Sequence, residues 1–255
     1  MMENGNNTGG FESVSGGITN DFVKSIASDQ GDLALDYSEL VIDGMLGEAL
    51  DDYGDIIESV PILKTAVGAY NAYKGFSSFH FTKKLISFIQ RVNEGVASKK
   101  EVDWFKNKFS EDDKKSQSEH VEYLLTMIDR YVGYDSPQML AQLFIAFLDD
   151  RISWDELACY AETIEKLLPG DFSMLCNSNT YSQKISETPA AVLRLVGLGL
   201  MVETNRPSVF VPTGDGHVGI TYGSLSTVQK NEIEYSRTAF GSKLVDIVQG
   251  SYAAK

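Results

Sequence analysis

Apolar residues recur at helical spacing through most of the first two thirds of the chain, most clearly between Ser118 and Gly170. Val121, Leu124, Leu125, Ile128 and Val132 fall every three or four positions, with His120, Glu122, Asp129 and Arg130 between them, which predicts an amphipathic helix stopped at Gly133. Ser136–Pro137 then supplies an N-cap followed by a proline at the first helical position. Met139, Leu140, Leu143, Phe144, Phe147 and Leu148 continue on a broad face, and Ile145 with Ala146 makes this segment apolar nearly all round, the pattern of a buried central helix. Ser153 and Glu156 are spaced as a capping box for a third stripe of Trp154, Leu157, Tyr160, Ile164, Leu167 and Leu168, which Pro169–Gly170 ends. The short connections predict antiparallel neighbours, an α-hairpin core.

Upstream the pattern is less regular. Residues 1–17 are rich in Gly, Asn and Ser and read as a flexible tail, and a helical stripe opens at Ile18 with Phe22, Val23 and Ile26. A second stripe runs from Leu33 to Leu50 among many carboxylates, which lack the order of a calcium loop and read as a solvated acidic face. From Val60 to Val92 small residues alternate with Tyr70, Tyr73, Phe76, Phe79, Phe81 and Phe88, flanked by lysines. This stretch reads first as a core helical hairpin. Its alternative is an interface or membrane-surface segment, with Tyr70, Tyr73, Phe76, Phe79 and Phe81 as the candidate interaction surface. Ser98 and Glu101 form another capping box before Val102, Trp104, Phe105 and Phe109, and Ser110–Glu119 is polar enough for a connector.

Beyond Gly170 the grammar changes. Phe172, Met174 and Leu175 restart a helix, Asn177 to Thr180 reads as loop, and Thr188–Pro189 caps a helix carrying Val192, Leu193 and Val196. Residues 208–212 and 217–222 read as strands about an Asp215–Gly216 turn. A helix ending in Leu195-Val196-Gly197-Leu198-Gly199-Leu200-Met201-Val202, a hairpin, and then Tyr235-Ser236-Arg237-Thr238-Ala239-Phe240-Gly241 resembles a winged-helix arrangement. It departs from the DNA-binding version in having only Arg194, Arg206 and Arg237, with no basic recognition helix.

The expected fold class is therefore mainly α, a multi-helix antiparallel bundle followed by a small α+β winged-helix-like part. The expected domains are a tail at 1–17, a helical domain at 18–177 and a winged-helix-like domain at 185–250.

Charge narrows the function classes. The formal net charge is −14, so unassisted binding to nucleic acid or an anionic membrane is disfavoured. The paired lysines Lys83–Lys84, Lys99–Lys100 and Lys114–Lys115 read as solvated helix-face residues. Two cysteines, Cys159 and Cys176, form no framework and read as reduced, packed thiols of a cytoplasmic protein. No signal-peptide pattern opens the chain, and no apolar run reaches the ~18–20 residues of a membrane span.

Phosphate loops, dinucleotide fingerprints and zinc-hydrolase or serine-hydrolase motifs are absent, and His80, His120 and His217 lack ligand spacing. No catalytic, cofactor-binding or metal-ligating residue is assigned, and no cofactor is expected. The segments Val60-Pro61-Ile62-Leu63-Lys64-Thr65-Ala66-Val67-Gly68, Met127-Ile128-Asp129-Arg130-Tyr131 and Ile152-Ser153-Trp154-Asp155-Glu156 give an arrangement similar to the abortive-infection alpha proteins, which implies a role in bacterial anti-phage defence.

The expectation is a non-enzymatic interaction or regulatory protein with a protein partner or self-association. The alternatives are an effector that disrupts membranes through residues 60–92 after a conformational change, and a winged-helix DNA-binding regulator.

Overall fold

A computed structural model describes residues 9–26, 61–63, 65, 75–95, 114–133, 135–177, 179–184, 188–204 and 232–250. The expected helices at 33–50 and 98–109 and the expected hairpin at 208–222 lie outside the described residues. The chain divides into two compact units after Glu165. The helix anticipated at 172–175 thus belongs to the C-terminal unit and not to the helical domain, where the sequence reading had put it.

Among the described residues, the first unit is built from the helices α1 (Gly9–Ile26), α2 (Gly75–Gly95), α3 (Lys114–Arg130), α4 (Asp135–Leu148) and α5 (Trp154–Glu165). Residues 9–17, assigned by composition to the tail, are the first half of α1. Once a turn exists, each further residue adds a hydrogen bond, so a helix can outrun its apolar stripe. The centre is apolar and aromatic. Phe22, Phe88 and Phe144 from α1, α2 and α4 meet with ring centroids 6.0–6.2 Å apart. Phe81, Leu85, Phe88, Ile89 and Val92 are all buried, so this part of the aromatic segment forms core.

As expected, α4 is the central helix: its residues 140, 141, 143–146 and 148 are all buried. It packs most closely on α2 and then on α5. The turn joining α3 to α4 is short, yet α3 lies mainly against α1 and α2. Short connections set chain direction, whereas large aromatic side chains decide which helix fills which groove. Pro61, Ile62 and Leu63 form a helical turn pinned to α1. Ser25 Oγ there accepts from the Ile62 N–H at 2.9 Å, and Thr65 Oγ1 donates to Asp21 Oδ2 at 2.6 Å. The Ser153–Glu156 capping box forms in both directions, at 3.0 and 3.2 Å.

The second unit contains α6 (Asp171–Asn177), β1 (Thr180–Lys184), α7 (Ala190–Gly197), β2 (Met201–Thr204), β3 (Glu232–Arg237) and α8 (Ala239–Val248). Its antiparallel sheet has the order β1-β3-β2, with Tyr181 opposite Tyr235 and Val202 opposite Ser236. Leu175, Val192, Leu195, Leu200, Tyr235 and Leu244 are buried in this unit. The exit from α7 is made by Gly199 at φ +72°, where a glycine avoids the strain other residues meet.

Thr238 caps α8 by accepting from the Gly241 N–H at 2.9 Å, and its hydroxyl donates to the Gly199 carbonyl at 2.7 Å. Gly241 is buried, and a Cβ there would collide with the Leu200 carbonyl oxygen. The two ends of the resemblance motif are thus one packed junction. Thr188 does not cap α7 as the sequence suggested. Pro189 occupies that position without a side-chain hydrogen bond, and Thr188 Oγ1 is buried without a partner. Among the described residues, no helix is long and apolar enough to cross a membrane.

Candidate interaction face

The first unit carries an aromatic seam between α3 and α5 that is left partly open to solvent. The two helices run in the same sense. Successive cross-helix pairs keep the same order along both. His120 stacks on Trp154 with centroids 3.7 Å apart, Tyr123 Oη donates to the Ala158 carbonyl at 3.2 Å, and Arg130 pairs with Glu165. Tyr123 also meets Trp154 edge to face at 5.7 Å, and Phe147 of α4 closes the inner side at 5.4 Å from Trp154. His120, Tyr123, Phe147 and Trp154 are each half-buried. Every one of these rings therefore has an apolar body fixed by packing and an edge that water reaches, the amphipathic disposition that suits tyrosine and tryptophan to interfaces.

Sequence spacing explains why the seam stays open. His120 and Tyr123 lie on the flank of α3, between the buried line Val121, Leu124, Met127 and Ile128 and the exposed positions Glu119, Glu122 and Thr126. On α5 the exposed positions are Asp155, Cys159 and Glu162. Cys159 is therefore an exposed free thiol, contrary to the packed one expected, because it falls on the outer side of that helix. Burial pushes the Tyr123 phenol up from its ordinary value of 10.0, and the Glu162 carboxylate adds to the shift.

At the far end of the seam Tyr131 is 2% exposed and donates to the Ala161 carbonyl at 3.1 Å. Arg130 and Glu165 form a two-pronged pair at 3.0 and 2.7 Å.

Beneath this end lies Lys84 of α2, which is 6% exposed. Its Nζ donates to the Asp129 carbonyl at 2.6 Å and to the Tyr131 carbonyl at 2.8 Å. Burial draws the ammonium below its ordinary value of 10.5, against the opposing pull of the Asp129 carboxylate. The lysine pair at 83–84 is therefore not a solvated basic patch. One of its members is an internal partner for the carbonyls that end α3, groups that have no partner within their own helix.

Of the residues singled out from the sequence as an interaction surface, Phe81 is 4% exposed in the core. Phe76 and Phe79 fall within α2, while Tyr70 and Tyr73 lie outside the described residues. His120, Tyr123 and Trp154 were not anticipated as a group. The signal was present as aromatic residues on the boundary between stripe and polar face, but only the pairing of α3 with α5 brings them together. Among the described residues, no cluster of histidine, cysteine, aspartate and glutamate is arranged to hold a metal ion. No protein-family model, curated protein or solved structure matches the chain.

Proposed function

We propose that the protein is a non-enzymatic interaction component and that the α3–α5 face is where it meets a protein partner or a second copy of itself. One observation supports this reading above the others: the stacked His120–Trp154 pair with Tyr123 beside it, packed together and only partly buried. Rigid aromatic rings offer large contact area at little entropic cost, and such residues carry much of the energy at protein interfaces. The defence role comes into this proposal from the sequence resemblance alone, and the cytoplasmic setting from the reading of Cys159 and Cys176 as reduced thiols.

A winged-helix-like reading of the second unit is supported by its strand order β1-β3-β2 and by the α7–β2 and β3–α8 junctions. The same unit speaks against DNA readout. On α7, Arg194 is engaged by Asp171 through two hydrogen bonds of 2.9 and 2.7 Å, and the exposed Leu193 is apolar. A helix that reads a groove needs free donors and positive charge, which α7 lacks.

The test is site-specific photocrosslinking in cells from a benzoylphenylalanine placed at Glu122, an exposed position next to Tyr123. The reading expects one discrete adduct, either with another protein or at twice the chain mass, competed by untagged protein. No adduct, or the same pattern from a control position at Ala190 on α7, would overturn it.

A further inference from the structure

We propose that Lys84 is the positioning residue of the α3–α5 face, acting on the backbone at the end of α3 and not on the His120, Tyr123 and Trp154 rings. Its ammonium donates to two carbonyls at the end of α3, those of Asp129 and Tyr131, at 2.6 and 2.8 Å. From the same few residues the chain reaches α5. Tyr131 donates through its phenol to the Ala161 carbonyl at 3.1 Å, and Arg130 grips Glu165 at 2.7 Å. The end of α3 is thereby held between α2 on one side and α5 on the other.

Among the described residues, the Lys84 ammonium is the donor that reaches both of these carbonyls at once. Tyr131 N–H continues the helical ladder to the Met127 carbonyl, and the next residue, Val132, is already 97% exposed. Without the Lys84 ammonium these carbonyls lose the two internal bonds it gives them, and the hold of Tyr131 on α5 weakens. A lysine suits the task. Its three N–H groups can serve more than one carbonyl, and its stem lies along the apolar surface of α2. The partial negative charge at a helix C-terminus also favours a cation there.

The link to partner binding rests on the interaction reading above, but the clamp itself is measured without any partner. Amide exchange followed by NMR on Lys84→Met, which keeps the stem and removes the donors, is the experiment. Exchange at residues 129–131 should rise about tenfold or more through local opening, with a smaller rise at 161–165 and little change in the α4 core at 140–146. Lys84→Arg, which keeps a cation with several donors, should retain most of the protection. Unchanged exchange at 129–131 in Lys84→Met, or a uniform rise across the whole unit, would overturn the proposal.

Should that variant not fold, the unaltered chain still decides. A buried ammonium bonded to two carbonyls must give slowly exchanging side-chain protons near residues 129–131, and a spectrum without them contradicts the clamp. A negative crosslinking result would leave this result standing, and the reverse also holds.

Discussion

Two ionisable side chains, Tyr131 and Lys84, define the end of α3, and both bond to backbone carbonyls instead of to charged partners. Burial raises the Tyr131 phenol far above its ordinary value of 10.0, with Tyr123 and Glu165 adding to the shift. The folded state thus holds the proton more tightly than the unfolded chain. The stabilisation is complete below pH 10 and declines as pH rises past it, because the unfolded phenol then ionises and the folded one does not. A spectrophotometric titration of the tyrosinate band should therefore show Tyr131 ionising only together with loss of the helical circular dichroism signal. In Tyr131→Phe that delayed step should vanish; a Tyr131 that titrates freely near pH 10 in the folded protein would refute the assignment.

Neither role was legible in the sequence. A lysine beside another lysine, and a tyrosine just past a helix, declare nothing about carbonyls on another element. The Ser153–Glu156 cap was legible because both partners lie within one turn.

Among the elements, those with strong local grammar were the ones the sequence located. The stripes of α3, α4 and α5 lie on the expected helices, but α3 begins at Lys114, inside the expected connector, and Val132 and Leu168, expected in the stripes, lie past the helix ends and are exposed. β1 was read as loop at its start, since Thr180-Tyr181-Ser182-Gln183-Lys184 has no alternation of apolar and polar residues. Its strand character comes from pairing with β3, a long-range cause. Helix partners were also hidden, since the spacing in α4 does not reveal that α2 is its closest neighbour.

The junction of α7, β2, β3 and α8 gives a test at this scale. Gly241 lies where any Cβ would press on the Leu200 carbonyl, backbone that cannot swing aside. Gly241→Ala is expected to destabilise the C-terminal unit by about 1–3 kcal/mol, the cost of overpacking a filled site. Chemical denaturation followed by circular dichroism checks it, and an unchanged midpoint would mean that the junction is looser than its contacts imply.

Over the whole molecule, the acidic balance and the missing catalytic motifs directed attention to surfaces, and the aromatic run from Tyr70 to Phe81 was the natural first candidate. Folding removes Phe81 from that surface, because a large apolar ring gains more from burial than from exposure. The sequence breaks its pattern at Pro169–Gly170, but nothing local in Phe172, Met174 and Leu175 tells which unit the helix at 171–177 joins. In the fold it is bound to the second unit by Asp171, which is 1% exposed and pairs with Arg194, and by Arg237, which donates to the Leu175 carbonyl at 2.6 Å. Among the described residues of the first unit, His120, Tyr123 and Trp154 form an aromatic seam that keeps part of its surface exposed.

The central claim is that this seam engages a partner and does not merely complete the core. Trp154→Ser tests it most directly, with recovery of the Glu122-crosslinked species measured beside the melting curve. The variant should keep its helical signal and a cooperative transition while recovery of the partner falls about tenfold or more, the cost of an interface anchor. Undiminished recovery from a folded Trp154→Ser protein would contradict the account.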